Sequence, residues 1–444
     1  MILLKDNTSY DNTSYSFTVE DLEGYQKIAN RNISDLLDEY GNNLLIYPHS
    51  FNQCDDEIGN QVLLSLYIDR VNKKFNLKTG NIAGFIGMNG QSMSIHSRFS
   101  GGETREDHFL HYMLHKVLCI NIINLPHGST DEGRFDFLLY LFPKFLNEAL
   151  TQGIYKEYHQ KRYNDTNVRG CIDINRHLKM NLPFNGNIAY RTREFSYDNH
   201  VTELIRHTID YISKTKTGEG LLENDATTRT NVSQIISATP HYNRRERDQI
   251  IKRNTKAICH PYYSHYTSLQ QLCLRILRCE SIKYGDKDKI YGILFDVAYL
   301  WEEYLATLLS KQGFKHPQNK KGLGGIYLSS PKNFIRYPDF YRECDGTIID
   351  AKYKKEIDHR NDINQMITYM YRLRGEHGVF VQPTVDGFKE NRYRLNGYGE
   401  DHNAELRKYL FPIPKETNND KDFALKMQQS EKQLCSEFKI EKKA

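Results

Sequence analysis

Hydrophobic and polar positions follow three successive patterns along this chain, and the first is typical of β-strands. Between residues 43 and 99, short apolar runs such as "VLLSLYID" and "GFIGMNGQSMSIHSRF" are separated by Gly and Asn. Alternation of this kind marks half-buried strands joined by turns. We therefore predict a strand-rich amino-terminal domain over residues 1–105.

The second pattern begins near Asp107 and has the spacing of amphipathic helices. Apolar residues recur every three or four positions in "DHFLHYMLHKVLCINII", "FDFLLYLFPKFLNEAL", "NHVTELIRHTIDYISK" and "YTSLQQLCLRILRCESI", which places them on one helical face. The polar stretch "KRYNDTNVRGCIDINRHL" is predicted to form loops or short strands. Residues 106–285 are therefore expected to form a mainly helical middle domain.

The third pattern, from Asp286 onward, mixes both periods. One face of a predicted helix, which Gly313 ends, carries Leu294, Ala298, Trp301, Leu305 and Leu308. Strand-like segments follow at 325–329, 334–341 and 347–353, then a helix over "DINQMITYMYRLR" and a strand over "HGVFVQPT". This order predicts a mixed α/β domain over 286–415, within a multidomain α+β chain. The polar residues 416–444 are predicted to form a loose tail or a peripheral helix.

Composition limits the classes of function that the chain can have. With 444 residues, 39% hydrophobic and 26% charged, it has the profile of a globular protein of two or three domains. The net charge of +4, from 60 basic and 56 acidic residues, does not by itself indicate a nucleic-acid partner. No apolar stretch approaches the roughly 18 residues that span a bilayer, and no secretory signal opens the chain. These features predict a cytoplasmic protein without membrane contact.

The spacing of the cysteines and glycines argues against two kinds of site, a zinc or redox site and a phosphate-binding loop. The eight cysteines form no C-x-x-C pair, which argues against a zinc ribbon or a redox motif. The run "CHPYYSH", Cys259–His265, contains three residues of metal-binding type, but an aromatic-rich loop with stray histidines is the commoner interpretation. No G-x-x-x-x-G-K-[ST] loop occurs, so we do not expect this chain to bind a nucleotide itself.

The stretch "FIRYPDFYRECDGTIIDAKYK" carries the clearest candidate chemistry. Its Asp-Gly pair is a strong hairpin signal. A two-residue loop would pair Asp339 with Lys352, whereas a four-residue loop over 343–346 would pair Asp339 with Asp350. In both registers the strand period of two places Asp339, Asp350 and Lys352 on one face of the sheet.

Two neighbouring carboxylates beside a lysine are costly unless something offsets their repulsion and desolvation. A divalent cation would do so, because Mg²⁺ takes oxygen ligands and often uses only one or two protein carboxylates. The backbone carbonyl of Ala351 is a further candidate ligand. In phosphodiester hydrolysis such a cation activates a water, and Lys352 would orient that water or offset developing charge.

The residues around the hairpin strengthen this interpretation, although each is unremarkable alone. Glu302 lies on the predicted helix away from its apolar stripe, with Glu303 as the alternative at this position. Downstream, Gln365 and Tyr369 stand one turn apart on the next predicted helix. An isolated P-D followed by D-x-K arises often by chance, so the order of all these features carries the evidence.

That order resembles the PD-(D/E)xK nuclease superfamily, in particular its RecB-like branch. The phrases "FDVAYLWEEYLATLL", "IRYPDF", "GTIIDAKYK" and "DINQMITYMY" are similar to the McrC family, the nuclease subunit of McrBC and LlaJI-type modification-dependent restriction systems. "GFIGMNGQSMSIHSRF", "NVRGCIDINRHL" and "FSYDNHVTELIRHTI" extend the resemblance over most of residues 80–385. Trp301 stands where Phe is usual in that family.

The resemblance implies a carboxyl-terminal, restriction-endonuclease-like PD-(D/E)xK domain. It implies cleavage of double-stranded DNA with one or two Mg²⁺ ions, or with Mn²⁺. By the same resemblance the acidic ligands and catalytic groups are Asp339, Asp350, Glu302 and Lys352, with Gln365 and Tyr369 supporting the site or contacting DNA.

The resemblance also implies a partner, a ring-forming McrB-like AAA+ GTPase, which we expect to dock on residues 1–105. For a double-strand break, two copies of the complex would have to meet or one would have to act twice. Two other functions stay open at this point. One is a stand-alone RecB-like exonuclease or repair nuclease, and the other is a non-catalytic regulatory subunit in which the hairpin is only a polar sheet.

Overall fold

The computed structural model describes most of the chain, namely residues 2–12, 17–40, 44–48, 57–88, 91–100, 107–118, 136–215, 218–223, 225–282, 290–319, 322–387, 390–396, 404–415 and 420–439. The chain forms two compact units, one of residues 1–124 together with 286–444 and the other of residues 125–285. The predicted boundaries at 105/106 and 285/286 lie outside the described residues. The division into three domains and a tail therefore stays a prediction.

The secondary structure is a mixture of helices and strands. The strands are β1 (Ile2–Lys5), β2 (Ser9–Asp11), β3 (Leu44–Tyr47), β4 (Leu64–Asp69), β5 (Lys74–Thr79), β6 (Ile82–Met88), β7 (Gln91–His96), β8 (Glu157–Asp165), β9 (Cys171–Ile172), β10 (Ile188–Ser196), β11 (Ile290–Asp296), β12 (Ile326–Ser329), β13 (Asn333–Arg336), β14 (Phe340–Arg342), β15 (Thr347–Ala351), β16 (His377–Thr384), β17 (Glu390–Arg394) and β18 (Glu405–Pro412). The α-helices are α1 (Val19–Glu23), α2 (Ile33–Tyr40), α3 (His108–Leu118), α4 (Asp136–Leu150), α5 (Ile174–Met180), α6 (His200–Ile212), α7 (Gly218–Glu223), α8 (Ala226–Ala238), α9 (Arg247–Arg253), α10 (Ser264–Ile282), α11 (Val297–Leu309), α12 (Asn361–Leu373) and α13 (Asp420–Glu437).

The amino-terminal strands of the first unit build two sheets. Five strands take the order β1-β7-β6-β11-β3, and three take the order β2-β5-β4. Their inward side chains, with those of α1 and α2, form one hydrophobic core that includes Leu4, Leu44, Leu64, Leu77 and Ile86. The strand-rich character predicted for residues 43–99 is therefore present in the structure.

Strand β11 corrects one prediction, because Leu294 lies in a strand and not on the helix that follows. β11 pairs with β6 in antiparallel and with β3 in parallel orientation. The helix α11 begins after Asp296, whose side chain accepts hydrogen bonds from the backbone N–H groups of Ala298 (3.0 Å) and Tyr299 (3.1 Å). Such a cap fixes a helix start. A short apolar run before it suits a buried strand or a buried helix, and periodicity cannot distinguish the two.

The sheet β14-β15-β16-β18-β17 carries the candidate site. β15 pairs antiparallel with β14 and parallel with β16. Helix α12 packs on this sheet through a core that includes Ile348, Met366, Met370 and Phe380. On α11, Trp301 is buried, and its Nε1 donates a hydrogen bond to the Val381 carbonyl at 3.4 Å. Both helices that flank the hairpin in sequence are therefore held by packing within this unit.

The segment predicted as a tail or a peripheral helix contains α13. The helix buries Met427 and Leu434. The carboxylate of Glu431 accepts hydrogen bonds from the hydroxyls of Tyr112 (2.8 Å) and Tyr304 (2.9 Å) and pairs with Lys116 at 2.9 Å. The helix is thus an integral part of the first unit, which its polar composition did not indicate.

The second unit combines helices α4 to α10 with the sheet β8-β10-β9. Strands β8 and β10 pair antiparallel along nine residues each. Helices α4, α6 and α10 correspond to the three predicted amphipathic segments of this region. The stretch predicted as loops or short strands contains part of β8, the short β9 and the start of α5.

Candidate active site

The hairpin adopts the four-residue loop, one of the two registers that the sequence allows. Arg342 pairs with Thr347, so residues 343–346 form the loop. Arg342, which precedes the loop, binds Asp345 within it. Its Nε donates to Oδ1 at 3.0 Å and its Nη2 donates to Oδ2 at 2.5 Å. Gly346 has a φ of +63°, a left-handed conformation that favours glycine. Continuing the register by one pair beyond Phe340 and Ile349 places Asp339 opposite Asp350.

Asp339 stands just before β14 and is tied to β15 by a hydrogen bond. The Ala351 backbone N–H donates to its Oδ2 at 2.7 Å. Part of the Asp339 surface stays accessible, while its carboxylate is closely surrounded by protein. Burial raises the pKa of Asp339 well above its usual range, and the charges of Glu302 and Asp350 raise it further.

Asp350 is the most buried acidic group of the cluster, with 2% of its surface exposed. Neither carboxylate oxygen accepts a hydrogen bond of good geometry from the residues that the structure describes. Lys352 Nζ lies 2.7 Å from Oδ2 as an ion pair. Burial raises the pKa of Asp350 although the Lys352 charge acts in the opposite direction. Burying a carboxylate is costly even when it forms an ion pair with a lysine, and a carboxylate is also the type of group that binds a divalent cation.

Lys352 connects the two carboxylates of the hairpin with helix α12. Its Nζ lies 3.4 Å from Asp362 Oδ1 and donates a hydrogen bond to Gln365 Oε1 at 3.3 Å. Burial disfavours the charge of Lys352. The negative charges of Asp350, Asp339 and Asp362 outweigh this effect and raise the pKa of Lys352. The lysine is therefore a fixed ammonium group at neutral pH.

Gln365 and Tyr369 extend this hydrogen-bonded chain away from the lysine. Gln365 Nε2 donates to the Tyr369 hydroxyl at 2.7 Å, and that hydroxyl donates to the Tyr337 carbonyl at 3.2 Å. Burial raises the pKa of Tyr369 to about 12, so the hydroxyl keeps its proton. Gln365 thus binds Lys352 in addition to Asp350, and Tyr369 holds Gln365 in place.

Glu302 and Glu303 on α11 approach the cluster through a histidine. His316 donates from Nδ1 to the Asp339 carbonyl at 2.8 Å, and its Nε2 lies 3.5 Å from Glu303 and 3.9 Å from Glu302. Its ring stacks on Phe340, with 4.7 Å between the ring centres. Burial opposes protonation of His316, yet hydrogen bonds with Glu303 and the Asp339 carbonyl raise its pKa. Glu302 is the acid whose charge raises the pKa of Asp339 most; its role as an acidic ligand stays a prediction.

The structure therefore brings together all the side chains that the sequence singled out around the hairpin. It adds Asp362 and His316. Asp362 lies three positions before Gln365 on α12, so helical spacing was a usable signal. No sequence pattern pointed to His316, because only the path of the chain after α11 brings its ring to the Asp339 carbonyl.

The side chains of this cluster offer carboxylate oxygens to a metal ion. Among the described residues, no three His, Cys, Asp or Glu side chains converge so as to hold a metal ion by themselves. This also holds for the described run Cys259–His265, whose His260 packs on Tyr155. The pair of neighbouring carboxylates, Asp339 and Asp350, still suits Mg²⁺, which needs only one or two carboxylates when water and phosphate complete its shell.

Comparisons with known proteins concern the family and the fold. A family model described as "McrBC 5-methylcytosine restriction system component" matches residues 77–383. A chain of the "Refined half-complex from tetradecameric assembly of Thermococcus gammatolerans McrB AAA+ hexamers with bound McrC" is 14% identical, with a TM-score of 0.51, and the match covers 96% of this chain and 99% of that chain. A chain of the "Cryo-EM structure of the Thermococcus gammatolerans McrBC complex" is 13% identical, with a TM-score of 0.35 over 72% and 89%. No curated protein matches.

These comparisons differ in what they establish. At 14% identity and a TM-score of 0.51, the first solved structure shows a shared fold. The family model spans more than half of the chain, including β15, α11 and α12. None of the described helices combines the length and apolar character needed to cross a membrane. This chain belongs to the McrBC 5-methylcytosine restriction system component family.

Proposed function

We propose that this chain is the Mg²⁺-dependent, PD-(D/E)xK-type DNA endonuclease subunit of a modification-dependent restriction system and works with an McrB-like AAA+ GTPase. The observation that carries the proposal is the buried carboxylate of Asp350. It is 2% exposed, its Oδ2 lies 2.7 Å from Lys352 Nζ, and a second buried carboxylate, Asp339, is close enough for the charge of Asp350 to raise its pKa. Such a group is expensive in a purely structural role and suits a cation-dependent reaction.

Asp339 and Asp350 would hold the ion, with the Ala351 carbonyl as a further oxygen ligand and Glu302 as an outer acid. A bound Mg²⁺ would lower the pKa of a water and offset charge on a scissile phosphate. Lys352 contributes a permanent positive charge beside the carboxylates, where it orients the attacking water or offsets charge that develops on the phosphate. Gln365 and Tyr369 keep the ammonium group in place through their hydrogen bonds.

A partner protein is supported by the fold match and by an exposed apolar surface. The matched structure is titled as McrB AAA+ hexamers with bound McrC, and this chain lacks a phosphate-binding loop of its own. In the second unit, no residue of α5 is buried. An exposed set of large apolar residues on and beside this helix, here named the α5 patch, consists of Ile172, Ile174, Leu178, Met180, Leu182 and Phe184. Several exposed large apolar side chains close together in sequence are a feature of interaction sites. It is a second candidate for docking, besides residues 1–105.

The decisive experiment replaces single groups of the site in the complete system. With the GTPase partner, GTP and Mg²⁺ present, Asp339→Ala, Asp350→Ala and Lys352→Ala should each lower cleavage of 5-methylcytosine-containing duplex DNA by about 10²-fold or more. Glu343→Ala, in the same hairpin loop, serves as the matched control because its side chain is 66% exposed and pairs with the exposed Lys315 at 2.7 Å. Wild-type cleavage by Lys352→Ala would contradict the proposal.

Two further measurements separate the alternatives. Degradation of DNA ends by the purified chain with Mg²⁺ alone would favour a stand-alone exonuclease. Calorimetric Mg²⁺ binding that is unchanged in Asp350→Ala would favour a non-catalytic subunit with a polar hairpin.

A further inference from the structure

The residue that follows the candidate catalytic lysine is held by a distant segment of the same unit. Tyr353 is 6% exposed, and its hydroxyl lies 2.6 Å from Ser97 Oγ. Its ring meets Phe99 edge-on, with 5.1 Å between ring centres, and the Arg98 guanidinium lies 5.0 Å from the ring centre. We name residues Ser97, Arg98 and Phe99 the Tyr353 seat.

Two buried carboxylates fix this seat. Asp107 accepts hydrogen bonds from the backbone N–H groups of Ser97 (2.5 Å) and Leu110 (3.0 Å) and so joins the seat to α3. Asp6, after β1, accepts from the Arg98 backbone N–H at 2.5 Å and from its Nε at 2.9 Å. Charge-assisted hydrogen bonds inside a protein are strong and directional. The seat therefore cannot move without breaking several of them.

Lys352 follows the last residue of β15 and directly precedes Tyr353. Its backbone N–H donates to the Val381 carbonyl at 3.0 Å, which extends the pairing of β15 with β16. Successive side chains of an extended chain point to opposite sides. With Tyr353 buried in the seat, Lys352 is directed towards Asp350.

We propose that Tyr353 is a positioning residue for Lys352. Through the Tyr353 seat, the position of the amino-terminal sheet then determines the position of Lys352 in the candidate nuclease site. The inference rests on the proposed function of Lys352. It assigns a role to the phrase "SIHSRF", which ends β7 and forms the seat. A protein that binds the amino-terminal sheet and shifts β1 or β7 would act on the lysine through Asp6, Arg98 and Tyr353.

The test removes the hydroxyl group of Tyr353 or that of Ser97 in separate variants. Cleavage is then measured in the complete system with the GTPase partner, GTP, Mg²⁺ and methylated duplex DNA. Tyr353→Phe and Ser97→Ala should each lower kcat about tenfold or more, since small misplacements of a catalytic group are costly. KM for DNA should stay within about twofold, because neither group is placed to touch DNA. The double variant should lose no more than either single variant, since both break the same contact.

Tyr266→Phe is the control for a loss of stability. Its hydroxyl is also buried and donates to the Gly153 carbonyl at 2.7 Å, but it belongs to the second unit. Measured well below the melting temperature, this variant should keep the wild-type kcat. Wild-type kcat in Tyr353→Phe and Ser97→Ala, or additive losses in the double variant, would overturn the inference, provided that Lys352→Ala is inactive. Wild-type cleavage by Lys352→Ala would instead overturn the proposed function.

Discussion

At the residue scale, the candidate site holds more acidic groups than Lys352 can neutralise, because Asp339, Asp350 and Asp362 all interact with this one lysine. Burial, Glu302 and Asp350 raise the pKa of Asp339 above the ordinary value of 3.8. A carboxyl group whose pKa is raised by folding binds its proton more tightly in the folded state. The stability of the cation-free protein therefore falls as the pH rises from the unfolded pKa through the folded one. At neutral pH the ionised site is a net cost unless a cation is bound.

We predict that Asp339→Asn raises the melting temperature of the Mg²⁺-free protein at neutral pH by about 2 °C or more. The amide removes the charge and keeps an oxygen for the Ala351 N–H. The difference should shrink as the pH falls from neutral into the acid range, because the folded wild type takes up a proton at Asp339 before the unfolded chain does. Thermal melts across this range check the trend, and added Mg²⁺ should stabilise the wild type more than the variant. A variant less stable than the wild type at neutral pH would contradict the prediction.

At the element scale, the carboxyl-terminal helix α13 depends on one buried acid. Glu431→Ala leaves the hydroxyls of Tyr112 and Tyr304 and the Lys116 ammonium without this partner. We predict a loss of about 2–4 kcal/mol in the free energy of unfolding, measured by denaturant titration. Glu437→Ala on the same helix breaks a pair with Arg407 in which the glutamate is 37% exposed, and should cost at most about 1 kcal/mol. Equal losses in both variants would show that Glu431 has no special role.

Elements also show where sequence reasoning reached its limit. The Asp-Gly pair predicted the hairpin, and the period of two predicted which side chains share a face. The register depended on the Arg342–Asp345 contact, which pattern alone did not reveal. Likewise the apolar run before Asp296 suited two element types, and only its pairing with β3 and β6 made it a strand.

At the scale of the whole molecule, two surfaces are candidates for binding the proposed GTPase partner, namely residues 1–105 and the α5 patch. The α5 patch contains Leu178, 50% exposed, and Phe184, 65% exposed. We predict that Leu178→Lys with Phe184→Lys leaves the melting temperature unchanged, because both side chains already face water, and abolishes partner-dependent cleavage and co-purification with the partner.

The matched variant, Val71→Lys, lies within residues 1–105 at a position that is 92% exposed. If the α5 patch is the docking surface, this variant should keep partner-dependent cleavage and should still co-purify with the partner. Loss of partner binding in Val71→Lys alone would favour the amino-terminal surface that the resemblance suggested.

The sequence by itself determined the local chemistry of this protein. Asp339, Asp350 and Lys352 share one face because alternation along paired strands depends only on neighbouring residues, and the order of Glu302, the hairpin and Gln365-Tyr369 pointed to the family that the comparison then showed. Only the tertiary structure decided what depends on residues far apart along the chain. It made β11 a strand of the amino-terminal sheet, buried α13 around Glu431, brought His316 under Asp339 and seated Tyr353 on Ser97. The physical reason is that such contacts join segments up to hundreds of residues apart, and no periodicity within either segment encodes the other.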